Sequence, residues 1–168
     1  MTLIDKIIEK RPVIVKRWLD MLLESYPEDS RRFFKKESDQ FANPVGFTFA
    51  KELKTLLEYI VRGNLNDEAS SCLESIIRIR AVQDFSPSEA IGFMFRLKEV
   101  IRDVVGKRDS LDSDELEVVD RNIDRAGLLA FDIFSMYRER IYDLRVGEVR
   151  REVSRLLERA NLLCEVPQ

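Results

Sequence analysis

Apolar positions recur at helical spacing along nearly the whole chain, and no run alternates as a strand would, so the pattern predicts an all-α fold. Ile4, Ile7 and Ile8 begin a short N-terminal helix. After Pro12, Ile14, Trp18, Met21 and Leu22 mark a second one that ends near Tyr26-Pro27. A short charged helix from Glu28 to Glu37 carries Phe33 and Phe34. Asn43-Pro44 is a cap-plus-proline start, followed by the stripe Phe49, Leu53, Leu56, Leu57, Ile60, with Gly63 ending it. Asn66 opens the next helix, lined on one face by Ala69, Cys72, Leu73, Ile76 and Ile79. Ser86, Pro87 and Glu89 have the spacing of a capping box. The helix they open is apolar nearly all round as far as Val105, which requires burial on several sides. Gly92 within it leaves room for a neighbouring backbone or a ligand.

Lys107 to Asp114 reads as a polar loop, and Asp112 with Glu115 has capping-box spacing for a final helix. Its stripe runs Leu116, Val119, Ile123, Ala126, Ala130, Ile133, Tyr137. It slips by one residue near Ile141 and resumes as Tyr142, Val146, Val149, Val153, Leu156, Ala160, Leu163, a heptad rhythm. No proline interrupts it from Glu115 to Val166. One small domain cannot cover so long a helix, so the second run is expected to form a dimer seam. The competing reading is a break near Gly147 and a hairpin return. The chain thus divides into a helical domain, residues 1–145, and a helical extension, residues 146–168. A parallel pairing would set Arg145 against Arg150, which an antiparallel pair or a larger bundle avoids.

The 168 residues suffice for a closed core. Apolar residues are 45% and charged ones 35%, a globular balance without a disordered signature. A net charge of −3 with no basic face argues against nucleic-acid binding. The densest basic cluster (Arg31, Arg32, Lys35, Lys36) is flanked by acids and reads as a solvated face. No apolar run reaches the ~20 residues of a membrane span, and no signal-peptide core is present, which suggests the cytoplasm. Histidine is absent. That removes Ser-His and Cys-His nucleophiles, His-ligated zinc and a proximal-His haem; a haem would need Cys72, a Tyr or a Met as its axial ligand, and no cofactor is expected. Cys72 and Cys164, far apart, read as buried or incidental thiols. Glu115, Glu117 and Asp120 cluster at a helix start, where the macrodipole accounts for them without a metal.

Three segments, WLDMLLESYPED (Trp18–Asp29), FANPVGFTF (Phe41–Phe49) and RIRAVQDFSPSEAIGFMF (Arg78–Phe95), with their spacing, make residues 11 to 145 resemble the N-terminal domain of the RsbRD type of RsbT co-antagonist proteins. The resemblance implies a globin-like helical bundle without haem. It also implies a homodimer, and a sensory module upstream of a STAS domain in stressosome-type assemblies. No β-α alternation follows Asp143, so the family's kinase-binding and phosphoacceptor roles transfer to no residue here. The module then acts through its tail or with a separate signalling protein.

Two readings compete for the cluster from Arg78 to Asp84. In the structural one Arg80 pairs with Asp84 at i,i+4, and Gln83 clamps the turn to the Asn43-Pro44 corner. In the functional one Arg80 and Gln83 anchor a pocket walled by Phe85, Phe93 and Phe95, suited to an anionic ligand. No nucleophile elbow, P-loop or glycine cradle occurs, so no catalytic residue is assigned. The sequence therefore reads as a non-catalytic sensory module whose signal runs from the Asp84–Pro87 turn through the buried helix to the last one. A structural adaptor subunit is the alternative, and a carboxylate-dependent enzyme a weaker third.

Overall fold

The computed structural model describes residues 1–106 and 113–161. In chain order these form α1 (Leu3–Glu9), α2 (Arg11–Leu23), α3 (Glu28–Lys36), α4 (Pro44–Val61), α5 (Asp67–Ala81), α6 (Pro87–Val105) and α7 (Ser113–Arg159). The fold is all-α, with no strand among the described residues. The expected Asp112 capping residue, Leu163 and Cys164 lie outside them.

Short-range chemistry sets the helix starts. The Asn43 side chain accepts from the Gly46 amide at 2.9 Å and donates to the carbonyls of Phe34 and Glu37, tying the start of α4 to the end of α3. Asn66 caps α5 through the Ala69 amide, and Ser86 with Glu89 forms the expected box on α6 with Pro87 in its first turn. Thr2 and Asp5 form a further box on α1. Gly63 ends α4 at φ 69, a left-handed angle that costs glycine nothing. α2 stops at Leu23, short of the end near Tyr26-Pro27 that the sequence suggests. The Ser25 hydroxyl takes the Leu22 carbonyl, and the Tyr26 amide closes a turn onto Leu23.

α2 packs against α4 and α6, while α7 packs against α5 and α6 and reaches α4. Trp18, Phe49, Leu57, Leu73, Met94 and Ile123 meet in the centre, all fully buried. Trp18 donates its indole N–H to the Phe93 carbonyl at 2.9 Å, which satisfies the one polar atom of the largest core side chain. α1 is fastened at both ends. The Leu3 amide donates to Glu115 Oε2 at 2.8 Å, and Lys10 Nζ donates to the Val104 carbonyl at 2.9 Å. Glu115 and Asp120, two acids of the start of α7, thus have protein partners: Asp120 pairs with Arg102.

Two expectations about glycines change. A Cβ on Gly92 would meet nothing within 4 Å, so no backbone approaches there. The close approach is at Gly127, where a Cβ would lie 2.4 Å from the ring of Phe95. α7 runs through both Gly127 and Gly147 without a break, which overturns the hairpin return over the described residues.

Cys72 is buried, and burial together with the neighbouring Glu52 carboxylate pushes its thiol up to about 12. At pH 8 the thiolate fraction is then roughly one in ten thousand. Iodoacetamide is expected to leave Cys72 unmodified in the folded chain over an hour and to label it fully in urea. Mass spectrometry of the Cys72 peptide reads both.

Candidate functional site

Arg80, in the last turn of α5, points inward and is wholly buried. Its Nε donates to the Ala90 carbonyl at 2.6 Å, and its Nη2 donates to the Glu89 carbonyl and to Ser25 Oγ, both at 2.8 Å. One side chain thereby joins the end of α2, the end of α5 and the first turns of α6. Three aromatic rings surround the guanidinium, with Phe85 at 4.6 Å, Tyr26 at 5.4 Å and Phe93 at 5.5 Å from its carbon. Tyr26 stands edge-on to both Phe85 and Phe34. Its hydroxyl donates to Gln83 Oε1 at 2.6 Å.

Among the described residues no carboxylate forms an ion pair with this cation, and Nη1 has no hydrogen-bond partner. Three things compensate: carbonyl dipoles, π faces, and the C-terminal ends of α2 and α5, where partial negative charge collects. Burial pulls the guanidinium below its ordinary value, and the Tyr26 hydroxyl opposes that pull. It also pushes the Tyr26 phenol up, against the pull of Arg80. Arginine starts so high that it stays charged.

The structure therefore brings together Arg80, Gln83, Phe85 and Phe93 and leaves out Phe95. Positions 93 and 95 lie about 200° apart around a helix. Phe95 accordingly faces Gly127 on the α7 side, where 37% of it is exposed. The Arg80–Asp84 pair does not form either. α5 ends at Ala81, so the helical i,i+4 geometry does not extend to Asp84, which is exposed. Gln83 does not reach the Asn43-Pro44 corner; it takes Tyr26, while Asn43 is spent on α3 and its own cap.

The α5–α6 turn has a second holder. Arg138, on α7, donates through Nη2 to the Gln83 carbonyl at 2.8 Å and to the Phe85 carbonyl at 2.6 Å. Its guanidinium lies 4.9 Å from the Phe134 ring. The sequence gives no sign of this contact, because both acceptors are backbone atoms. The turn is thus gripped from one side by Tyr26 and from the other by α7 itself.

Around α7 the apolar residues form two separate stripes. Leu116, Val119, Ile123, Ala126 and Ala130 are buried, and Phe134 is the last buried residue. Tyr142, Val146, Val149, Val153 and Leu156 are exposed, Val149 by 58% and Leu156 by 62%. At 100° per residue the two stripes sit roughly 120° apart. The slip near Ile141 is therefore a change of face, not a stutter in one seam. The exposed stripe starts inside the domain, with Leu128 (63% exposed) and Phe131 (45%). A cleft of about 260 Å³, lined by Pro87, Phe131, Phe134, Ser135, Arg138 and Tyr142 among others, lies beside it.

A buried cation clamp under a turn, and a long helix carrying an exposed apolar stripe away from it, define an all-helical domain. The family model for the RsbT co-antagonist protein RsbRD N-terminal domain matches residues 12–149, most of the chain, and the chain belongs to that family. It is a family of stressosome-associated regulatory domains and not of known enzymes. No curated protein and no solved structure matches the chain. No helix among the described residues is long and apolar enough to cross a membrane.

Proposed function

We propose that this chain is a non-catalytic sensory module, globin-like and without haem, that works in the cytoplasm as a homodimer joined through Tyr142, Val146, Val149, Val153, Leu156 and Ala160. Residues 1–145 form the sensing domain and residues 146–168 the extension that reports to a separate signalling protein or a larger assembly. The observation that carries this reading is the pair of bonds from Arg138 to the carbonyls of Gln83 and Phe85. A displacement of the α5–α6 turn must break or drag those bonds, and Arg138 lies one helical turn before Tyr142 of the exposed stripe. Motion then reaches the tail directly from the turn, without first repacking α6. A ligand or partner that favours one position of the turn biases α7 by its differential affinity for the two positions.

Hydrogen exchange tests the coupling. Hydrogen bonds to a charged donor contribute about 1.5–3 kcal/mol in favourable cases, and this donor is half-buried, so about 1–2 kcal/mol is at stake. R138A is expected to speed amide exchange roughly tenfold over residues 82–90 and also over residues 133–145 of α7. Faster exchange confined to the turn would separate the turn from the tail and sink the proposal.

A further inference from the structure

The exposed stripe on α7 has a charge pattern that selects one pairing of two copies. We infer that a second copy docks antiparallel, with Val146 against the partner's Val149 and Tyr142 against the partner's Val153, so that the last turn of each α7 lies beside the other copy's domain. This inference rests on the dimer reading above and adds its direction and register.

Leu128, Ser135, Tyr142, Val149 and Leu156 recur every seven residues, with Val146, Val153 and Ala160 between them. The same period places Asp132 and Glu139 on the seam. In a parallel pair each seam residue meets its own copy, so Glu139 would face the partner's Glu139 and Asp132 the partner's Asp132. Arg145 would also flank the partner's Arg150. Like charges meet at three levels, two of them inside the seam.

Reversing one helix removes all three conflicts. With Val146 opposite the partner's Val149, Glu139 lies beside the partner's Leu156 and Ser135 beside the partner's Ala160. Arg145 flanks the partner's Glu152, Asp143 flanks the partner's Arg150, and Met136 flanks the partner's Leu157. Two-fold symmetry makes each of these contacts occur twice. A shift of one heptad in one direction sets Arg145 against the partner's Arg145. In the other direction it sets Glu152 against the partner's Glu152 and Arg150 against the partner's Arg150. The one like-charge neighbour in the favoured register is Arg138 with the partner's Arg159. Arg138 is already turned onto the carbonyls of Gln83 and Phe85.

The register also accounts for the cleft. Leu156 of the partner arrives at the level of Glu139, next to Phe131, Ser135 and Tyr142 at the mouth of the 260 Å³ groove. The tail of one copy is thereby placed beside the turn that the other copy's Arg138 holds.

Charge reversal in the 168-residue chain decides the matter, read by sedimentation equilibrium. R145E is expected to weaken the wild-type dimer about tenfold, because two attractive pairs become repulsive. R145E/E152R is expected to restore it. In a parallel pair R145E would instead tighten the dimer, since the new carboxylate would flank Arg150. In a C72A/C164S background, a mixture of Y142C and V153C chains is expected to form disulfides between unlike chains only. A dimer that R145E tightens or leaves unchanged, or that links like with like, overturns the register alone. A wild-type chain that stays monomeric at high micromolar concentration overturns the dimer reading with it.

Discussion

Arg80→Ala is expected to lower the unfolding free energy by about 3–4 kcal/mol, and Arg80→Met by only about 1–2 kcal/mol, in urea titrations. Alanine removes the stem that fills the space between Tyr26, Phe85 and Phe93 and leaves a cavity beneath three rings. It also removes the donors that join Ser25 to Glu89 and Ala90. Methionine refills most of that space and keeps contact with the rings through its polarisable sulfur. It loses the hydrogen bonds, but it also ends the burial of a cation with no ion-pair partner among the described residues, whose desolvation is a standing cost. The two carbonyls it abandons lie within α6, where intrahelical donors serve them as well. Against a typical total of about 5–15 kcal/mol, the alanine variant is near the limit of folding at 37 °C and the methionine variant is not. Equal losses for the two would mean that the hydrogen bonds, and not the packing, hold the α2, α5 and α6 junction together.

That junction marks the boundary of what the sequence makes legible. Helix starts are local chemistry: Asn43 with Gly46, Asn66 with Ala69 and Ser86 with Glu89 lie three residues apart, and their spacing alone identifies them. The core stripe of α7 and the buried face of α5 follow from the helical period in the same way. Arg80 is recognisable as a residue with a task, yet its partners are not, because backbone carbonyls leave no trace in side-chain identity. Arg138 escapes notice for the same reason, although its spacing of four from Phe134 already set it at the edge of the buried stripe. Tyr26 and Ser25 lie some fifty-five residues from Gln83 and Arg80, and only the packing of α2 against α6 unites them. The sequence itself separates Phe95 from Phe93, since residues two apart on a helix point to opposite sides. The family resemblance rests on segments that include this cluster, and the family match confirms the kinship while leaving the task of each side chain to geometry.

Val149→Asp is expected to abolish the dimer while leaving the domain folded, and its effect on association is the largest expected of any single change in the tail. In the antiparallel register Val149 meets Val146 of the other copy twice, so one substitution buries two carboxylates in an apolar seam. Each is costly to desolvate without a partner. A loss of at least about a hundredfold in affinity follows, read by sedimentation equilibrium. Nothing comparable threatens the domain, because Val149 is 58% exposed and lies beyond Phe134, the last buried residue of α7. The melting temperature separates the two effects. Association stabilises the folded chain by mass action, so the wild-type melting temperature is expected to rise with protein concentration. For V149D it is expected to stay flat, at the value the wild type approaches on dilution. A V149D chain that melts below the diluted wild type would mean that the tail packs against its own domain. The exposed stripe would then be a surface the chain covers itself, and the route from Arg138 to a second copy would close.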